Sequence, residues 1–204
     1  MKKGVFITFE GGEGAGKSTH IRFVASYFRL RGRKALVVRE PGSTPIGEQI
    51  RKILLNPKNK TMSLEAELFL YLAARAQLVN EVIRPALKKG VVVISDRFED
   101  STLVYQGYAG RFPIAWLKQI AGAARGQIVP KLTFLLDIDV EKGLKRSGRK
   151  DRMERKPVRF HERIRQGYLT LAKQDPRRFV VIFSEQSKQK VQKRIKAELD
   201  RVFY

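Results

Sequence analysis

Three features of the sequence predict an α/β fold built on a parallel sheet with helices on both faces. Five short apolar runs, at 5–9, 35–38, 91–95, 132–137 and 179–183, are rich in β-branched and aromatic residues at successive positions, the pattern of strands covered on both sides. Helical segments separate them, so each strand is followed by a crossover that brings the chain back parallel. A glycine-rich stretch, FEGGEGAGKST at 9–19, joins the first run to the first helical segment.

The intervening segments follow in order. Residues 18–30 carry apolar side chains at helical spacing, and 64–87 form a long helical stretch with a bend expected at Pro85, whose ring lacks the amide proton that a helix interior requires. Helical patterns recur at 114–124, 140–145, 158–172 and 191–202. Residues 146–157, RSGRKDRMERKP, hold almost no apolar side chain and read as a mobile surface loop.

At 204 residues, 43% of them apolar and with no repeat or polar linker, the chain reads as one domain spanning 1–204. There is no cysteine, which excludes disulfides and thiolate metal sites. The opening MKKGVFITFEGG has only about five apolar residues before acid and glycine intervene, too few for a signal peptide, and no run approaches a membrane span. A cytoplasmic location is expected. Forty-two basic against twenty acidic side chains give a net charge of +22, which draws polyanions: nucleic acid, nucleotides or an anionic membrane surface.

Gly11, four further residues, Gly16, Lys17 and Ser18 complete the pattern G-x-x-x-x-G-K-[ST] at a strand-to-helix junction. Glycines at Gly11, Gly12, Gly14 and Gly16, with small Ala15, let backbone N–H groups turn inward on a polyphosphate, and the helix that follows adds its positive end. Lys17 then reaches the β- and γ-phosphates, and the Ser18 hydroxyl ligates Mg²⁺, with Thr19 beside it. The pattern points to a nucleoside triphosphate and leaves the reaction open, because many chemistries share it.

The second substrate is written after the third run, in SDRFEDSTLVYQG at 95–107. Asp96, at the carboxyl end of a parallel strand, is placed to assist Mg²⁺, and Arg97 to fork an anionic acceptor; a structural ion pair at the strand end is the alternative.

The stretches FEGGEGAGKST, REPGSTPIGEQIR (39–51), DRFEDSTLVYQGY (96–108) and DRMERKPVRFHERIRQGYLTLA (151–172) together resemble the bacterial type of thymidylate kinase, over about residues 4 to 173. The resemblance implies a nucleoside monophosphate kinase fold, a five-stranded parallel sheet with a basic lid, transfer of the γ-phosphoryl group of ATP to dTMP, Mg²⁺ as cofactor, and a homodimer with neither specific nucleic acid nor membrane as partner. It assigns Glu13 to the acceptor's 3′-hydroxyl, Arg97 and Arg51 to its phosphate, Arg75 to a thymine carbonyl and Tyr71 to stacking on the base. Ser101, Thr102 and Gln106 fall beside the thymine edge, and Tyr105 against the sugar 2′ position. Other roles stay open for some of these: Arg39 either joins the phosphate contacts or organises the next turn, Glu13 is otherwise a solvated loop carboxylate, and Tyr71 is otherwise core. Phe69, two positions from Tyr71, should face elsewhere.

In the same resemblance the catalytic arginines lie in the lid when the phosphate loop has none, and here the loop interior is Gly12-Glu13-Gly14-Ala15. Residues 146–157 supply Arg146, Arg149, Lys150, Arg152, Arg155 and Lys156 against Asp151 and Glu154; Arg149 and Arg152 are the candidates, and a solvated charge run is the alternative. Three residues depart from the family pattern: Tyr71, where phenylalanine is common but a ring face is kept, Ser43, where a second glycine is usual, and Arg155, where an acid is common. From a different class, the charge also suits a nucleic-acid-binding ATPase, although basic residues are spread along the whole chain; a non-catalytic nucleotide sensor is a third reading.

Overall fold

The computed structural model describes residues 3–148 and 151–204. Strands β1 (Val5–Glu10), β2 (Ala35–Arg39), β3 (Val92–Asp96), β4 (Leu132–Asp137) and β5 (Phe179–Phe183) form one parallel sheet in the order β2-β3-β1-β4-β5. Each of the five apolar runs becomes a strand. In register, Phe9 lies beside both Asp96 of β3 and Phe134 of β4. The strand order reverses at β1, so the crevice beyond its carboxyl end is where an open α/β sheet receives ligand.

Alternate side chains of the central strands enter cores on the two faces of the sheet. Ile7 and Phe9 pack with Val92 and Ile94 under α1 (Lys17–Arg29) and α9 (Lys188–Phe203), through Val24, Phe28 and Ile195. On the other face Phe6 and Val93 meet Leu78, Val79 and Ile83. At the sheet edges the cover is one-sided: Val37 of β2 and Val181 and Phe183 of β5 are exposed. No helix among the described residues is long and apolar enough to cross a membrane.

The predicted helix 64–87 is present in three joined parts: α3 (Leu64–Leu78), a π-helical turn at Val79–Ile83, and α4 (Arg84–Lys88). The wide turn comes directly before Pro85, where a regular helix would press the ring against the carbonyl four residues back. Helices α6 (Ile114–Arg125), α7 (Val140–Ser147) and α8 (Val158–Gln174) stand where the periodicity placed them.

Two helical segments escape the sequence pattern. One is α2 (Pro45–Leu55), hidden by the prolines and glycines around it, although its start is well marked: Pro45 occupies the first turn and the Thr44 hydroxyl accepts from the Gly47 amide at 2.9 Å. The other runs from α5 (Glu99–Thr102) into a π-helical turn at Leu103–Tyr108. Before α2, Ser43 takes the left-handed conformation, φ 65°, which explains why glycine is usual there. Its hydroxyl accepts from the Arg39 amide at 2.8 Å and its own amide donates to Glu48 at 2.7 Å, so the turn keeps its shape without glycine.

Residues 151–156 are not a loose loop. Asp151 accepts from the amides of Met153 and Glu154, and Met153, 4% exposed, is buried in the core formed by α3, α6, α8 and the π-helical turn. One apolar side chain in a charged segment is enough to dock it. Removal of the α2 cap by Thr44→Ala is expected to cost about 1 kcal/mol, readable as a lower urea midpoint with an unchanged slope.

Candidate active site

The phosphate loop leaves β1 and turns on three glycines with positive φ, Gly11 (136°), Gly14 (66°) and Gly16 (86°). At Gly14 the need for glycine is also steric, since a Cβ there would sit 2.1 Å from the Gly143 carbonyl oxygen of α7. Lys17, buried at the start of α1, donates to the carbonyls of Gly11 (3.1 Å) and Gly12 (2.9 Å), bridging the mouth of the loop. Burial, with Arg97 nearby, lowers its ammonium from the ordinary value. Ser18 donates to Asp96 across 3.4 Å, joining α1 to the end of β3.

A crevice of about 330 Å³ opens from this loop. It is lined by the loop from Glu13 to Thr19 and, among others, by Tyr71, Arg75, Thr102 and Gln106. Arg97 and Glu13 meet in it, with Nη2 2.7 Å from Oε1, and the Tyr105 hydroxyl donates to the same carboxylate oxygen at 2.6 Å. Burial alone would raise the Glu13 carboxyl; the Arg97 guanidinium, then Lys17, outweigh it and hold the group at about 2. Arg97 has φ 71°, uncommon for a residue with a side chain, and its Nη1 reaches the Gly11 carbonyl and the Tyr168 hydroxyl, each at 3.1 Å.

Arg75 is 2% exposed and nearly saturated. Its Nε and Nη2 donate to Glu40, Nη2 also to the Phe98 carbonyl, and Nη1 to Thr102 at 2.9 Å. Four of a guanidinium's five N–H groups are thereby used, and one on Nη1 has no partner among the described residues. Arg51 lines the crevice and donates to the Pro41 carbonyl at 2.9 Å. Arg39 forks Glu48 at 3.0 and 2.9 Å, the turn-organising alternative. Phe69 is 55% exposed and faces away, as the spacing required.

Some expected positions are corrected. Arg152, expected over the transferring phosphoryl group, instead donates to the Leu54 carbonyl (2.8 Å) and to Glu67 (2.5 Å), because the docking of Met153 turns it towards α2 and α3. Arg149 lies outside the described residues. Ser101 lines the crevice, but its hydroxyl donates to Glu10 at 2.7 Å and lies 2.7 Å from that of Tyr168, at the Arg97 end and not at a base edge.

Sequence reasoning passed over Glu10, Glu40, Glu67 and Tyr168. Glu10 is fully buried at the end of β1 and accepts from the Phe98 amide, Ser101 and Tyr168; burial, with Asp100 nearby, pushes its carboxyl up to about 7 against the pull of Arg97. A carboxylate closing an apolar run was the available signal for Glu10, and Glu40 directly follows β2 in the same way. Only the fold assigns either a partner.

One crevice thus brings together the glycine-rich loop, Arg97, Arg51, Arg75 and Tyr71. The thymidylate kinase family model matches residues 9–195. The chain belongs to the thymidylate kinase family. It is 47% identical to a thymidylate kinase of Symbiobacterium thermophilum over 200 residues, covering 97% of this chain and 94% of the relative. With that of Geobacter sulfurreducens the identity is 49% over 188 residues, covering 88% of each. The crystal structure of thymidylate kinase from Ehrlichia chaffeensis superposes with a TM-score of 0.80 at 30% identity, covering 97% of this chain and 99% of that one. The family has the nucleoside monophosphate kinase fold seen here, and the nucleic-acid-dependent ATPase is not favoured.

The Glu13–Arg97 pair has a definite pH signature. With its carboxyl at about 2 when folded against an ordinary 4.5, Glu13 contributes stability that is present above 4.5 and is lost as pH falls from there towards 2. Glu13→Gln is therefore expected to lower the melting temperature at about pH 6 and to lower it much less at about pH 3. Thermal melts at the two pH values check this, and an equal deficit at both would refute the pairing.

Proposed function

We propose that this chain, a thymidylate kinase by family, carries out the family reaction in the crevice: transfer of the γ-phosphoryl group of ATP to dTMP, giving dTDP and ADP. One observation carries the reading. A single cavity is lined by the phosphate loop, by Arg97 and by an aromatic ring, Tyr71, one helical turn before Arg75, whose guanidinium keeps one N–H without a partner among the described residues.

ATP lies along the loop, with its phosphates against the inward amides and Lys17. dTMP enters from the opposite wall, its base against Tyr71 and Arg75 and its phosphate at Arg97 and Arg51. Glu13 accepts from the 3′-hydroxyl, and the Tyr105 ring beside it closes the space at the 2′ position. An oxygen of the acceptor phosphate attacks the γ-phosphorus in line, the bond to the β–γ bridging oxygen breaks, and ADP leaves with the electron pair. No general base is needed, since a phosphate monoester is largely ionised near neutral pH.

Ser18 and Asp96 present hard oxygen donors 3.4 Å apart at the loop mouth, a set that fits Mg²⁺ with its remaining positions left to water and phosphate. Held by Ser18 and Asp96, the ion would supply positive charge to the triphosphate. With Arg152 committed to Glu67, Arg149 is the lid arginine we assign to the moving group. The end of α7 supports this, because the Arg146 Cβ lies 3.0 Å from where a Gly14 Cβ would be, so the chain enters the lid beside the loop. A homodimer is proposed through α3 and α6, which pack together and leave Phe69 (55%), Leu64 (37%) and Trp116 (36%) exposed.

Purified protein with MgATP and a panel of nucleoside monophosphates tests the reaction; ADP release that requires dTMP supports it, and release driven by DNA alone would overturn it. Lys17→Ala should lower kcat roughly 100-fold or more. Arg97→Ala should lower kcat/KM for dTMP to a similar degree, roughly 100-fold, while KM for ATP moves little. Sedimentation of Phe69→Glu is expected to give a monomer where the wild type gives a dimer.

A further inference from the structure

On α3, Glu67, Tyr71 and Arg75 recur every four residues and so share one face. Opposite them, on the segment 99–108, Thr102 and Gln106 repeat the same interval. The two faces are joined by two hydrogen-bonded rungs, Arg75 Nη1 to Thr102 at 2.9 Å and Gln106 Nε2 to Glu67 Oε1 at 2.9 Å. Tyr71 lies between the rungs in sequence, and Tyr71, Arg75, Thr102 and Gln106 all line the crevice.

Glu67 itself stands behind Gln106. Its carboxylate is 6% exposed and both oxygens are engaged, Oε1 by Gln106 and Oε2 by the lid's Arg152 at 2.5 Å. A carboxylate only accepts, so it fixes which way the Gln106 amide points: the NH₂ is held at Glu67 and the carbonyl oxygen is turned away, with no hydrogen-bond partner among the described residues. The crevice then presents a donor from Arg75 and an acceptor from Gln106.

We propose that Glu67 is the positioning residue for base selection: by fixing the Gln106 amide it sets an acceptor for a ring N–H beside a donor for a ring carbonyl, the edge of a 4-oxopyrimidine, and excludes a 4-aminopyrimidine. The inference rests on the reading that the crevice holds a pyrimidine monophosphate. Arg152 ties the same carboxylate to the lid, so the docked lid and the base-reading amide share one anchor.

Glu67→Gln tests this while keeping shape. Its one carbonyl oxygen is claimed by charged Arg152, which leaves an NH₂ facing Gln106; two NH₂ groups repel, and Gln106 turns its carbonyl to that NH₂ and its own NH₂ to the crevice. The ratio of kcat/KM for dTMP to that for dCMP is expected to fall roughly ten-fold or more, mainly through a higher KM for dTMP. Arg152→Ala, which leaves the Glu67–Gln106 bond in place, should keep the ratio. Should Glu67→Gln fail to give a normal thermal melt, Glu67→Ala, which frees the amide to rotate, serves instead and should lower the ratio in the same direction. An unchanged ratio in a folded Glu67 variant, or an equal fall in Arg152→Ala, overturns the inference. Failure of the parent reading has a different appearance: wild-type protein with no dTMP turnover, which removes both.

Discussion

A guanidinium and a carboxylate meet at the middle of the crevice, and most of the site's geometry is tied to them. Arg97 ends β3 in a left-handed turn that aims it back over the sheet at Glu13, inside the phosphate loop. Each charge is about one-sixth exposed, so neither is well solvated, and their desolvation is offset only because the pair is close and further bonded. Tyr105 completes the carboxylate, while Gly11 and Tyr168 complete the guanidinium. In this way three segments remote in sequence are held within hydrogen-bond distance of one another at the crevice.

Behind that pair lies a second layer of buried acids. Glu10 holds Ser101, Tyr168 and the Phe98 amide; Glu40 holds Arg75; Glu67 holds Gln106 and Arg152. Each is a charged or polarised acceptor taken from water and placed against donors, of which Ser101, Arg75 and Gln106 line the crevice. Such groups are costly to bury without partners, and their role is to restrict the orientation of the donors they hold. Alignment is what phosphoryl transfer requires of a protein, since the reaction asks for little covalent chemistry.

Residues 151–156 illustrate how a few apolar atoms redirect a charged segment. Burial of Met153 fixes residues 151–156 against α2 and α8, and Arg152 follows into a pocket with Glu67 and the Leu54 carbonyl. Composition alone described a solvated loop, because it weighs charge by count; here one buried thioether docks the segment and the Arg152 guanidinium finds a partner in Glu67.

The sheet and most of its helices were legible from the chain itself, because strands buried on both faces must be apolar throughout and helices must repeat their apolar face every three to four residues. The phosphate loop was equally plain, since its demands on φ and on close approach leave glycine as the residue of choice at Gly11, Gly14 and Gly16. Positions such as Arg75, Gln106 and Tyr71 could be named through family resemblance, but which donor each would present could not. That depends on Glu40 and Glu67, which are distant in sequence from what they orient, and on π-helical winding after Thr102 that no periodicity announced. Local patterns record what a residue must avoid or bury; the direction of a hydrogen bond is decided only when two remote segments are brought face to face.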